Sequence, residues 1–226
     1  MVPKVVFRCT KESRFARLNQ TGWAGRLRLP GKACTLSSAN TNVYLIGPMG
    51  SGKTTIGQRV AKRLGLDFFD CDHELEAQTG ASVSLIFDVE GEQGFRERET
   101  RMLDQLTRRN DVLVATGGGV VLKKENRELL RRNGLVVYMS TSVAQQLRRL
   151  NRDRTRPLLQ TPDRKERLAQ LAAQRNPLYE EVADLVFPSQ NRNPDTTAKA
   201  LSDLIRAHWS RDDRNNAPMP MKQVTD

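Results

Sequence analysis

The stretch of this sequence best equipped for chemistry is Gly47-Pro48-Met49-Gly50-Ser51-Gly52-Lys53-Thr54, which matches G-x-x-x-x-G-K-[ST]. It lies where such a motif must lie, after the apolar run Val43–Gly47 and before a helical pattern from Lys53 to Leu64. Strand, glycine-rich loop and helix in that order turn backbone N–H groups inward on phosphate oxygens, and the helix adds the positive end of its dipole. Gly50, Ser51, Gly52, Lys53, Thr54 and Thr55 form the expected cradle. Lys53 would reach the β- and γ-phosphates, and the Thr54 hydroxyl is placed to ligate Mg²⁺. The motif predicts a nucleoside triphosphate as one ligand.

A loop of this kind usually works with an aspartate on a neighbouring strand that helps hold the metal. The best third strand, Val112–Ala115, runs instead into Thr116-Gly117-Gly118-Gly119 and carries no acid there. The nearest substitutes are Asp70 and Asp72, following a short strand at Asp67–Asp70, where extended backbone would turn both side chains the same way. One carboxylate could support the metal's water shell while the other orients or deprotonates an acceptor hydroxyl. N-capping of a helix by Asp70 or Asp72 is the competing use. Leu75 stands where a calcium loop would need glycine, and His73 has no second His or Cys on its helix face, so it reads as a surface residue. The Thr116–Gly119 turn closes a strand at its carboxyl end, where open α/β sheets bind ligands, and suits close backbone approach to a second substrate.

Three arginines extend the pattern. Arg96 follows Gly91-Glu92-Gln93-Gly94-Phe95, two glycines inside an otherwise helical stretch, and Glu99 three residues on is placed to orient it. Arg175 precedes Asn176-Pro177-Leu178-Tyr179 at what reads as a helix end, and Arg156 precedes Pro157-Leu158-Leu159 in a polar loop. Arginine grips carboxylate and phosphate bidentately, so these are candidates for substrate and transition-state contacts, though each alone could be a solvated surface residue. The residues by themselves describe a small kinase with an anionic acceptor.

These groups need a scaffold, and 226 residues supply one domain with tails. Short apolar runs alternate with longer amphipathic ones, the mark of a parallel α/β sheet. Strands are expected at Val43–Gly47, Asp67–Asp70, Val112–Ala115, Leu135–Met139 and Asp184–Phe187. Helices are expected at Lys53–Leu64, Ser82–Arg109 with a break near Gly91–Gly94, Lys123–Arg132, Ser142–Leu150 with Ser142 as cap, Lys165–Arg175 and Pro194–Trp209. Residues 151–163 read as a long mobile loop. Residues 1–40 form a basic extension that lacks apolar periodicity, the folded domain spans 41–210, and 211–226 is a polar, Pro-broken tail expected to be disordered.

Net charge is +11, but +7 of it falls in residues 1–40, where eight Lys and Arg face Glu12 alone. Nucleic-acid binding is therefore not expected as a main function. No apolar run reaches the ~18–20 residues of a membrane helix, so no membrane partner is expected either. Cys9, Cys34 and Cys71 are odd in number and scattered, which points to a reducing compartment. Residues 1–40 suit an organelle transit peptide, a mis-assigned start or a basic arm equally well.

Taken together, Gly47–Thr54, Asp70-Cys71-Asp72, Gly91–Glu99, Gly117-Gly118-Gly119, Arg156-Pro157-Leu158-Leu159 and Arg175–Tyr179, in this order and spacing, resemble bacterial shikimate kinase over about residues 41–209. The resemblance implies a three-layer α/β P-loop kinase fold whose five parallel strands run in the order 2-3-1-4-5 between helices, with a lid at about 151–163. It implies transfer of the γ-phosphoryl group of MgATP to the 3-hydroxyl of shikimate, with ATP and Mg²⁺ as the cofactors. By position, Asp72 matches the acceptor-binding base, Arg96 and Arg175 the carboxylate pair, and Gly118 and Gly119 the backbone lining the same pocket. Asp70 matches the acid near Mg²⁺, Arg156 the lid arginine, and Arg149, Arg192 and Pro194 the adenine contacts. A kinase resembling gluconate kinase is disfavoured because a neutral polyol needs no carboxylate clamp. A retired nucleotide-binding module is disfavoured because it has no need of Lys53, Asp72, Arg96, Arg156 and Arg175 together. A monomer in the cytoplasm is expected, with plastid import as the alternative reading of 1–40.

Overall fold

Residues 41–151, 163–189 and 193–216 are described by the computed structural model. Five parallel strands stand in the order β2-β3-β1-β4-β5, the order that the resemblance implies. They are β1 (Val43–Ile46), β2 (Asp67–Asp70), β3 (Val112–Ala115), β4 (Leu135–Ser140) and β5 (Leu185–Pro188). Val43 on the central strand faces Leu113 on one side and Leu135 on the other.

The alternation of side chains along each strand builds two cores. Val43, Leu45, Leu113, Leu135, Val137 and Met139 point to one face, where α1 (Lys53–Leu64) and α7 (Pro194–Asn216) cover them. Tyr44, Ile46, Val112, Val114, Val136 and Tyr138 point to the other, under α2 (Cys71–Thr79), α3 (Val83–Thr107), α4 (Lys124–Asn133) and part of α6 (Arg164–Val182). Because both faces are covered, the inner strands read as continuous apolar runs. Each fully buried Leu or Val contributes about 1.5–3 kcal/mol relative to exposure. A smaller cluster of Met49, Leu150, Leu168 and Leu171 joins the phosphate loop to α5 (Val143–Leu150) and α6.

Local sequence explains most element ends. Helix α1 buries Ile56 and Val60 one turn apart, carries Lys62 and Arg63 in its last turn and stops at Gly65. Ser142 caps α5 in a reciprocal capping box with Gln145, as its position predicts.

Three elements depart from the sequence reading. Asp72 lies in the first turn of α2 and not on extended chain, because β2 ends at Asp70 and a helix begins at once. Helix α6 does not stop near Arg175 but runs through Pro177 to Val182. An internal proline costs about 3 kcal/mol, and burial of Tyr179 and Val182 against the sheet core offsets it. Helix α7 continues to Asn216, beyond the boundary at 210.

Candidate active site

The loops leaving β1 and β3 meet above the carboxyl edge of the sheet, on strands whose chains depart to opposite faces, which is the crevice where open α/β sheets bind ligands. Thr116 fastens the two together, its backbone N–H and its hydroxyl both donating to Leu45 O at 3.1 and 3.0 Å. Gly52 ends the phosphate loop at φ +93°, a left-handed conformation that directs the chain into α1 and that a side chain would oppose. Lys53 is buried, its Nζ donating to Gly47 O and Pro48 O at 2.8 and 2.9 Å, so the ammonium is held within the loop.

Asp70 takes the capping role that the sequence offered as one alternative, and its carboxylate also meets Thr54. One carboxylate oxygen accepts from the Asp72 backbone N–H at 3.1 Å, capping α2, while the other accepts from the Thr54 hydroxyl at 2.6 Å. Among the described residues no group of three or more His, Cys, Asp or Glu forms a metal cage. Mg²⁺ ordinarily binds through one or two protein oxygens, substrate phosphates and water. The Thr54–Asp70 pair beside the phosphate loop fits that donor set.

Two cavities adjoin here. One, of about 260 Å³, is lined by Gly50, Gly52, Lys53, Thr54, Thr55 and Arg149. The other, of about 480 Å³, is lined by Phe87, Phe95, Arg96, Glu99, Gly119 and Arg175. Met49, Thr54, Asp70, Asp72 and Gly118 line both and mark their junction.

The larger cavity is built around two buried guanidinium groups. Arg96 Nη1 donates to Glu99 at 2.7 Å and Nη2 to Glu92 at 3.1 Å, and its guanidinium lies 5.1 Å from the Phe95 ring centre. Burial opposes the Arg96 charge, but Glu99 and Glu92 outweigh it and hold the group protonated. Burial pushes the Glu99 carboxyl upward, against the pull of Arg96. Burial, and after it the nearby charge of Arg96, press the Arg175 guanidinium below its ordinary value. Arg175 Nε and Glu99 Oε1 have no hydrogen-bond partner among the described residues. Buried polar atoms are normally satisfied, so a ligand group is the natural complement. Gly119 is glycine for contact: a Cβ there would stand 2.2 Å from Arg96 Nη1. Two guanidiniums converging on a cavity with both apolar and polar walls are suited to a small carboxylate.

The family model for shikimate kinase matches residues 49–206. The chain belongs to the shikimate kinase family. It is 50% identical over 165 residues to the shikimate kinase of Actinobacillus succinogenes, covering 73% of this chain and 94% of that one. To the shikimate kinase of Vibrio parahaemolyticus it is 51% identical over 164 residues, with 73% and 93% covered. The structure of Acinetobacter baumannii shikimate kinase in complex with shikimate superposes with a TM-score of 0.73 at 45% identity, covering 74% of this chain and 94% of that one.

Within this member of the shikimate kinase family, the structure brings together Gly50, Gly52, Lys53, Thr54, Thr55, Asp70, Asp72, Arg96, Gly118, Gly119 and Arg175 around the two cavities, while Ser51 is fully buried in the loop and lines neither. Arg156 and Arg192 lie outside the described residues. Arg149 sits at the phosphate loop, donating to Gly50 O at 2.8 Å and Ser189 Oγ at 3.0 Å. Sequence reasoning missed Tyr179, whose hydroxyl donates to Gly118 O and fixes the backbone at the cavity junction. Burial pushes its phenol far up, which keeps the O–H a donor. Its place in the Arg175–Tyr179 motif was visible, but nothing in that spacing indicates a partner 61 residues away. Met49 was also missed as a wall of both cavities, because inside the phosphate motif it occupies a variable position.

Proposed function

We propose that this chain transfers the γ-phosphoryl group of ATP to the 3-hydroxyl of shikimate, with the acceptor in the larger cavity and the nucleotide phosphates in the smaller. The observation that carries this reading is the shared junction: Asp72 borders both cavities, where an acceptor hydroxyl and a terminal phosphate would meet. Arg96 and Arg175 grip the shikimate carboxylate at the far end, which orients the ring and presents the hydroxyl to Asp72. Asp72 accepts the hydroxyl proton as the phosphoryl group leaves ADP. Tyr179, Gly118 and Gly119 set the backbone wall against the ring.

Phosphoryl transfer asks the protein for alignment and charge neutralisation more than for covalent chemistry. Lys53 and the N–H groups of the loop supply positive charge at the phosphates, and Arg156 is assigned to the same task from the lid. Arg149 and Arg192 are assigned to the adenine side. Mg²⁺ would be held by Thr54, with Asp70 orienting its water shell, and would supply charge neutralisation for the phosphates.

A working monomer is part of the proposal. Among the described residues no helix is long and apolar enough to cross a membrane. Kinship with bacterial enzymes supports a cytoplasmic setting over plastid import.

The test is ADP release from MgATP with shikimate, with gluconate and with no acceptor. Stimulation by shikimate alone is expected. Equal stimulation by gluconate, or none by either, would overturn the assignment.

A further inference from the structure

We infer that the Glu90–Arg98 ion pair is a positioning device for the acceptor, bracketing a break in α3 and fixing the angle between two walls of the acceptor cavity. The inference rests on the reading of that cavity given above.

Helix α3 is two helices that meet at Gly91, whose φ of +69° and ψ of −177° leave the helical region altogether. Upstream of the joint, Val83, Ser84 and Phe87 line the cavity; downstream, Phe95, Arg96 and Glu99 do. The joint therefore sets how far one wall stands from the other. From Gly91 to Ser84 the arm is about 10 Å long by helical rise, so a turn of about 6° moves its end by about 1 Å. A displacement of about 1 Å in a positioned substrate can cost on the order of 10²-fold in rate.

Beyond the core cluster that Ile86 shares with Phe95 and Met102, two side-chain contacts span the joint among the described residues. On the cavity side the rings of Phe87 and Phe95 lie 4.5 Å apart, centre to centre. A second contact reaches over Gly91 itself: the Glu90 carboxylate accepts from Arg98 Nη2 and Nε at 2.6 and 2.7 Å, across eight residues. This fork fixes direction as well as distance. Gly94 lies beneath it, and a Cβ there would stand 2.5 Å from Glu90 Cβ, so the glycine makes room for the carboxylate to cross. The side chains of Arg98 and Glu90 are 38% and 33% exposed. Ion pairs so open to water contribute little to stability. The pair itself lies outside the acceptor cavity, beside Leu75, Gln78 and Arg101. A bidentate pair across a joint between two wall-bearing segments is better suited to geometry than to stability.

The test compares Glu90→Ala, Arg98→Ala and the exchanged pair Glu90→Arg/Arg98→Glu in steady-state kinetics of the full chain. Each single variant is expected to raise the KM for shikimate about tenfold, with the KM for MgATP and the Tm close to wild type. The exchanged pair is expected to recover most of the shikimate KM. Arg108→Ala, which breaks an exposed pair to Asp104 away from the joint, should leave both KM values unchanged. An unchanged shikimate KM in both single variants would overturn the inference, as would equal rises for both substrates, a loss that follows Tm, or no recovery in the exchange. Wild-type protein without shikimate-dependent ADP release would remove the underlying reading itself. Active wild type with unaffected variants would remove this inference alone.

Discussion

Substituting Gly119 by alanine tests the acceptor site with a single methyl group. The backbone there has φ −100° and ψ −1°, which alanine adopts without strain, so the effect is one of contact. The new Cβ would stand 2.2 to 2.3 Å from three atoms of the Arg96 guanidinium, whereas ordinary contact begins near 3.4 Å. The guanidinium must therefore retreat by about 1.2 Å, on the scale at which a misplaced positioning group costs on the order of 10²-fold. That corresponds to about 2.7 kcal/mol in shikimate binding and transfer. The displaced group is the end of a flexible side chain, so the fold is expected to survive. The phosphate-loop cavity does not include Gly119, so nucleotide binding should be spared. Coupled-assay kinetics with each substrate varied, beside nucleotide titration and thermal melting, measure all three quantities. Wild-type kcat/KM for shikimate, or an equal loss of nucleotide affinity, would refute the placement of Arg96 against Gly119.

Arg96→Ala and Arg175→Ala should each weaken shikimate binding by about 2 kcal/mol or more with nucleotide affinity nearly intact, read from the two KM values and nucleotide titration. Asp72→Asn should lower kcat by about 10²-fold or more while the protein still binds MgATP, because only the proton acceptor is lost; single-turnover measurement separates this from slow product release. Asp70→Ala removes the α2 cap, for about 1 kcal/mol of stability in a urea melt, and should raise the Mg²⁺ concentration needed for half-maximal activity.

Much of the site was legible because its requirements are local. A phosphate loop needs its glycines, Lys53 and Thr54 at fixed spacing between a strand and a helix, and Lys53 opens α1 as that spacing requires. Asp67–Asp70 and Val112–Ala115 coincide with β2 and β3, since four-residue runs between polar turns leave little choice. The ends of α6 and α7 were less legible. Pro177 is a helix breaker by local propensity, yet Tyr179 and Val182 gain more from burial than the proline costs. Asp72 was assigned to extended chain because the period of β2 was carried two residues too far, past the cap at Asp70.

What the sequence determined alone was the identity of the chemical groups: a phosphate loop, two aspartates near a strand end, an arginine after a glycine break and arginines just before prolines. Local spacing fixes these, and so does the alternation that forces a parallel sheet covered on both faces. The tertiary structure decided their convergence. Arg96 and Arg175 sit on different helices 79 positions apart, and only the packing of α3 and α6 at the carboxyl edge of the sheet buries both beside one cavity. The double use of Asp70, the hydroxyl of Tyr179 on Gly118 and the Glu90–Arg98 bracket likewise follow from angles and distances between elements, which depend on how side chains fill space and not on spacing along the chain.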